Sequence, residues 1–276
     1  MIKLNRLRTA ASIKAKYRGA DKRGKDIELL KAQKDKLNNL ITTIKFDETF
    51  WKLAKAQLKK ESFRKCAYCE ANTAVVAHGD VEHYRPKSVY WWLAYTYDNY
   101  LYACQICNQT YKSDNFPFNG VLFSAPQVRN DSSLQELALM AGNISPDPID
   151  ISLHYTLQTF LQNHQLELPL LINPYFDNPA DYIAYEADDI VEEVKIIPKN
   201  VSQKPYVKAM EDFYGINRIE LANFRFQTFR QFRIYKRTIQ ENISTDLRKD
   251  VLKEIDFMKS DKALFAGMIR YFDAIL

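Results

Sequence analysis

The sequence predicts an α+β fold, mostly helical, with a small cysteine-braced central module between helical N-terminal and C-terminal extensions. Apolar residues recur at three- and four-residue intervals on both sides of the middle, which is the pattern of amphipathic helices. All four cysteines fall between Cys66 and Cys107, as two Cys-x-x-Cys pairs. Between the first pair and the end of the second lie two short strand-like runs, VEHYRP and NYLYAC.

The 276 residues exceed the usual single-domain length of roughly 100 to 200, so a core with appended lobes is expected. The predicted division is a basic helical lobe at 1–62, the module at 63–120, and a mainly helical region at 121–276. A small extended or hairpin segment is expected near 165–200. In order along the chain, DIELLKAQKDKLNNLI reads as an amphipathic helix, and FDETFWKLAKAQLKKE as a second, capped by Asp47. Its apolar face holds Phe50, Trp51, Ala54 and Leu58, and a helix is expected near Cys107. DSSLQELALMAG reads as a capped helix, and LELPLLINPYFDNPADYIAYEADDIVEEVKIIPKN as extended structure.

From Tyr206 three or four helices are expected. One carries Leu221, Phe224, Phe232, Tyr235 and Ile239 as its apolar stripe. Arg225, Arg230, Arg233, Lys236 and Arg237 on the same helix either follow a phosphate backbone or keep the helix soluble.

Composition excludes several classes. With 46% hydrophobic and 26% charged residues and only 7 glycines, the chain reads as an ordered globular protein. No apolar run approaches the ~18 residues that a membrane-spanning helix needs. The basic N-terminus lacks the ~7–15-residue apolar core of a secretory signal, so a cytoplasmic location is expected. The net charge of +5 is unevenly spread: residues 1–65 hold 19 Lys and Arg against 7 Asp and Glu, and the remainder is net acidic. Such a basic segment suits nucleic acid, or is simply a set of solvated helix faces.

In a reducing compartment, two Cys-x-x-Cys pairs suit zinc better than disulfides, because tetrahedral zinc takes four thiolates and each pair supplies two. Four thiolates leave no open position, so a zinc held by Cys66, Cys69, Cys104 and Cys107 is structural. Inside this frame lies GDVEHYRPKS with adjacent Glu82 and His83, then Asn99, then CQICNQTYKSD.

This order resembles the HNH, or ββα-metal, endonucleases in their form with Cys-x-x-Cys zinc knuckles. The resemblance implies that His83 is the general base and Glu82 a ligand of a catalytic Mg2+ or Mn2+. It further implies that Asn99 braces the loop aiming His83, and that Asn108 is the second ligand. Arg85, Lys87 and Lys112 are the expected nucleic-acid contacts. The chemistry agrees: a neutral histidine can accept a proton at pH 7, and carboxylate and amide oxygens suit a hard cation that keeps several waters. Asp80, two residues before Glu82, is a rival ligand on the same strand face. His78, His154 and His164 are expected outside the chemistry. Trp91 and Trp92 either pack the long loop or stack on bases.

Farther out, LPLLINPYFDNPADYIAY and FYGINRIELANFR are similar to segments of the HNH effector nucleases of Septu-type and retron-associated anti-phage systems. That resemblance implies a DNA substrate, with RNA open on the same chemistry, and an ATPase partner of the ABC or SMC type. The competing expectation is a zinc-stabilised nucleic-acid-binding adaptor without catalysis.

Overall fold

Helices and two small antiparallel sheets make up the computed structural model, which describes residues 1–72, 78–150 and 155–276. His154 lies outside the described residues. The first expected helix is α1, Gly19–Leu37. The second stretch divides into α2, Glu48–Lys52, and α3, Lys55–Glu61. The Asp47 carboxylate accepts from the Thr49 amide at 3.0 Å, satisfying one of the open N–H groups at the start of α2. The break at Leu53 and Ala54 does not interrupt the apolar face, since Phe50, Trp51, Ala54 and Leu58 are all buried.

Strands β1, Asp80–His83, and β2, Tyr100–Ala103, pair antiparallel with His83 opposite Tyr100 and Glu82 opposite Leu101. Because side chains alternate across a strand, β2 serves two cores. Tyr100 and Tyr102 pack with Ile13, Tyr17, Phe50 and Trp51 of the N-terminal segment. Leu101 and Ala103 face a second cluster that holds Cys66, Cys69 and Cys107 together with C-terminal residues. A π-helical segment, Ile106–Lys112, follows β2 and ends at Ser113, whose φ is positive (46°).

Helix α4, Leu134–Met140, carries the reciprocal capping box of Ser133 and Glu136. Helix α5, Leu157–Glu167, is not among the elements that periodicity predicts. The expected hairpin is β3, Ile183–Asp188, with β4, Glu193–Pro198. Helices α6, Lys204–Tyr214, α7, Ile219–Thr238, α8, Thr245–Lys259, and α9, Ala266–Ile275, complete the chain.

The face of α7 differs from its expected stripe. Leu221, Ala222, Arg225, Phe226, Phe229 and Phe232 turn inward, while Phe224 is 39% exposed. Arg225, expected on the outside, is buried, and its Nη1 donates to the Ile216 carbonyl at 2.8 Å. Aromatic bulk decides the rotation: two phenylalanines outside the simple stripe bury more area than one inside it.

Candidate functional site

Each cysteine pair is a tight turn fastened to β2 or to the helix after it. In the first, the Glu70 amide donates to the Cys66 carbonyl at 3.0 Å, and the Ala67 amide donates to the Tyr102 carbonyl at 2.9 Å. In the second, the Cys107 amide points at Cys104 Sγ at 3.4 Å, and the Asn108 amide donates to the Cys104 carbonyl. The four Sγ atoms all lie within 4.8 Å of one another. A zinc with Zn–S bonds of about 2.3 Å needs sulfurs about 3.8 Å apart, so donor type and spacing both fit a zinc ion.

Arg218, just before α7, brings Nη1 to 3.7 Å from Cys107 Sγ. Burial works against its charge, yet the neighbouring cysteine sulfurs hold its pKa above the usual value. The guanidinium would thus offset the net negative charge of four thiolates around a zinc ion.

Beside the cluster, at the end of β1, an open cavity of about 320 Å³ is lined by Trp51, Glu82, His83, Lys87, Asn108 and Asp114, among others. His83 Nε2 lies 2.9 Å from the Ala94 carbonyl oxygen. A carbonyl only accepts, so Nε2 carries the proton and Nδ1 keeps a free lone pair. The Tyr100 hydroxyl donates to the same carbonyl at 2.7 Å. Burial is the main force that pushes the His83 pKa down to about 3, which keeps the ring neutral at pH 7.

Asn99 fastens the backbone around that histidine. Its Oδ1 accepts from the Arg85 amide at 2.8 Å, and its Nδ2 donates to the Arg85 and Leu93 carbonyls at 3.0 and 3.4 Å. The Asn99 carbonyl also receives the Tyr84 amide. One buried side chain therefore joins the exit of β1 to the loop that presents Ala94.

Glu82 and Asp80 both face the π-helical segment. Glu82 Oε1 lies 2.7 Å from Lys112 Nζ, and Asp80 Oδ2 accepts from Gln109 Nε2 at 2.8 Å. Burial raises the Glu82 pKa, and Lys112 opposes that shift. Lys112 also donates to the His83 carbonyl at 3.0 Å and is fully buried, so it supports the cavity from beneath rather than from its surface. Asn108 is partly exposed on the cavity wall.

Arg85, expected to contact phosphate, is out of reach. It is fully buried among aromatic rings, with Nη2 2.5 Å from Glu167 Oε2 of α5 and 3.0 Å from His164 Nδ1. Losing water makes a nearby carboxylate necessary for this cation. Lys87 remains at the cavity, with Nζ 5.5 Å from the Trp51 ring centre. His78 is exposed, His164 buried away from the cavity, and Trp92 packed in a third cluster with Leu93, Phe123 and Phe160.

Sequence reasoning gave Trp51 to the helix core, gave Tyr100 no role, and noted Asn217 and Arg218 only as part of the FYGINRIELANFR segment. The segment Gly215–Arg218 carries a readable signal nonetheless. Gly215 has φ 59° and sits so close to Tyr111 that a Cβ would lie 2.4 Å from its ring. The Asn217 side chain pairs with both the amide and the carbonyl of Ile196, at 2.8 Å each, and so ties β4 to the turn that delivers Arg218.

The chain is similar to the Septu protein PtuB of Bacillus mycoides, with 25% identity over 222 residues, covering 72% of this chain and 62% of that protein. It thus spans under two thirds of the length of that curated relative. No family model matches the chain. Nor does any solved structure.

Proposed function

We propose that the chain is a metal-dependent endonuclease of the HNH type, hydrolysing phosphodiester bonds in DNA as the effector of an anti-phage defence system. The single observation that carries this reading is the fixed tautomer of His83: Nε2 is committed to the Ala94 carbonyl, and the ring forms part of an open wall shared with Glu82 and Asn108. A free imidazole nitrogen there can take a proton from water attacking phosphorus. The similarity to a Septu protein supports the defence role. The ATPase partner of the ABC or SMC type is implied by the resemblance of the outer segments alone.

Glu82 and Asn108 supply hard oxygen donors on one wall, which fits Mg2+ or Mn2+ better than a soft metal. When bound, such an ion neutralises charge developing on the phosphate and the leaving oxygen. Lys112 orients Glu82, Asn99 holds the backbone on either side of His83, and Trp51 packs edge to face against the imidazole at the cavity wall. Lys87 stands at the rim, placed to meet a phosphate. Asp80, already held by Gln109, is the alternative ligand.

The test is magnesium-dependent plasmid cleavage by wild type and His83→Ala, each checked for folding by circular dichroism and for bound zinc. Loss of cleavage with fold and zinc retained is expected. Wild-type protein that never cuts, alone or with the product of a neighbouring ATPase gene, favours the non-catalytic adaptor. RNA offered in the same assay decides the substrate strand.

A further inference from the structure

We infer that the β3–β4 hairpin is a docking finger whose receptor is a cavity in the basic N-terminal segment of a second copy of this chain. Ile190, at the hairpin tip, is 93% exposed, and Val191 beside it is 53% exposed. Their presentation is organised by the turn itself. The Asp188 carboxylate accepts from the Ile190 and Val191 amides at 2.8 and 3.2 Å. From α7, Arg233 holds Asp189 at 2.8 Å and Arg230 lies 3.7 Å from Glu192. The turn therefore holds Ile190 and Val191 side by side at the tip, and the acidic residues around them set this pair apart from singly scattered surface apolar residues.

The chemistry around the tip specifies its receptor. EADDIVEE places Glu186, Asp188, Asp189, Glu192 and Glu193 around the two apolar side chains. Arg233, Arg230 and Lys195 pair with Asp189, Glu192 and Glu193, so the net negative charge of the tip rests on Glu186 and Asp188. The complement is an apolar hollow with a cationic rim. One such hollow of about 320 Å³ lies where the N-terminal loop meets α2 and α3. Leu53, Ala54, Tyr17 and Tyr97 contribute apolar lining, and the exposed Lys14 and Lys60 line it as well. It belongs to the segment with 19 basic against 7 acidic residues, whereas the finger belongs to the acidic remainder. A contact between unlike patches closes into a dimer when both fingers engage, and otherwise adds copies in a row. With a small apolar tip and a charged rim the contact is weak, and it weakens with salt.

Sedimentation velocity between about 5 and 200 µM tests this, at low and at 0.5 M salt. Concentration-dependent association at low salt is expected, lost in Ile190→Asp and lost in high salt. Two charge-reversed variants make the test specific: Lys14→Glu with Lys60→Glu, and Glu186→Lys with Glu192→Lys. Each alone should stay monomeric, and an equimolar mixture should associate. All these positions are exposed, so the variants should fold, which circular dichroism verifies. A wild type monomeric at 200 µM in low salt overturns the inference, as does association unaffected by Ile190→Asp or a mixture that stays monomeric.

Discussion

Trp51 meets the His83 imidazole edge to face, with ring centres 4.9 Å apart and planes at 85°. Tyr100 meets it at 5.0 Å and 83° from β2, so two rings hold the imidazole at the angle set by its bond to Ala94. Trp51→Leu keeps apolar bulk and removes one of these walls. Cleavage in single turnover should fall about 10- to 100-fold, because a misaimed base is lost from the transition state rather than from binding. Affinity for a catalytically dead complex measured with His83→Ala as background should be unchanged. A Trp51→Leu protein that cuts at the wild-type rate contradicts the positioning role.

Lys112 and Glu82 form a buried ion pair at 2.7 Å. Lys112→Met leaves a carboxylate enclosed without its partner, which costs about 3–5 kcal/mol in comparable cases. If Glu82 is a metal ligand, as proposed, a divalent ion there would supply the missing charge. Melting temperature of Lys112→Met should therefore rise more on adding 10 mM magnesium than that of wild type, and Glu82→Gln in the same background should cancel the difference. An equal response in all three proteins argues against Glu82 as a ligand.

Much of this site was legible in the chain because its chemistry is short-range in sequence. Cysteine spacing predicted the cluster, the strand-like runs VEHYRP and NYLYAC overlap β1 and β2 while running past their ends, and Asp47 predicted its own cap. What stayed hidden depends on contacts distant in sequence. Arg85 reads as a phosphate ligand beside His83 until Glu167, 82 residues later, encloses it. Trp51 reads as a core residue and is one, yet the same packing puts its ring against His83. Helix α5 lacks a clean stripe because it buries a histidine and a glutamate, His164 and Glu167, alongside Phe160.

Removing zinc should disturb more than the two knuckles. Tyr68, between Cys66 and Cys69, stacks on Tyr214 at the end of α6 with ring centres 3.8 Å apart, and Arg218 reaches Cys107 from the start of α7. Metal binding and folding are coupled wherever thiolates cannot stay close without an ion. A strong chelator should lower the melting temperature and raise amide exchange in α6 and the start of α7 together with residues 66–72. Magnesium withdrawal should leave amide exchange in α6 and the start of α7 unchanged. Protection in α6 that survives loss of zinc would falsify the coupling.

Asp26 gives a pH dependence with a definite sign. Its carboxylate is fully buried, 2.6 Å from Lys22 Nζ, which also reaches the Ser145 hydroxyl at 2.9 Å. Burial is the largest influence and, despite Lys22, lifts the Asp26 pKa from 3.8 to about 6. The folded chain therefore binds this proton more tightly than the unfolded chain. Below pH 4 both states are protonated; between about pH 4 and 6 only the unfolded state ionises, so stability falls as pH rises through that window. Above it the difference is constant, on the order of 2–3 kcal/mol lower than in acid. Asp26→Asn cannot ionise and should lack this loss. Its urea-unfolding free energy, compared with wild type at each pH, should shift in the variant's favour by that amount between pH 4 and 6.5. Taking the difference cancels the protonation of cysteines and other carboxylates common to both proteins. A difference that stays flat across the window means that Lys22 holds Asp26 ionised in the folded state.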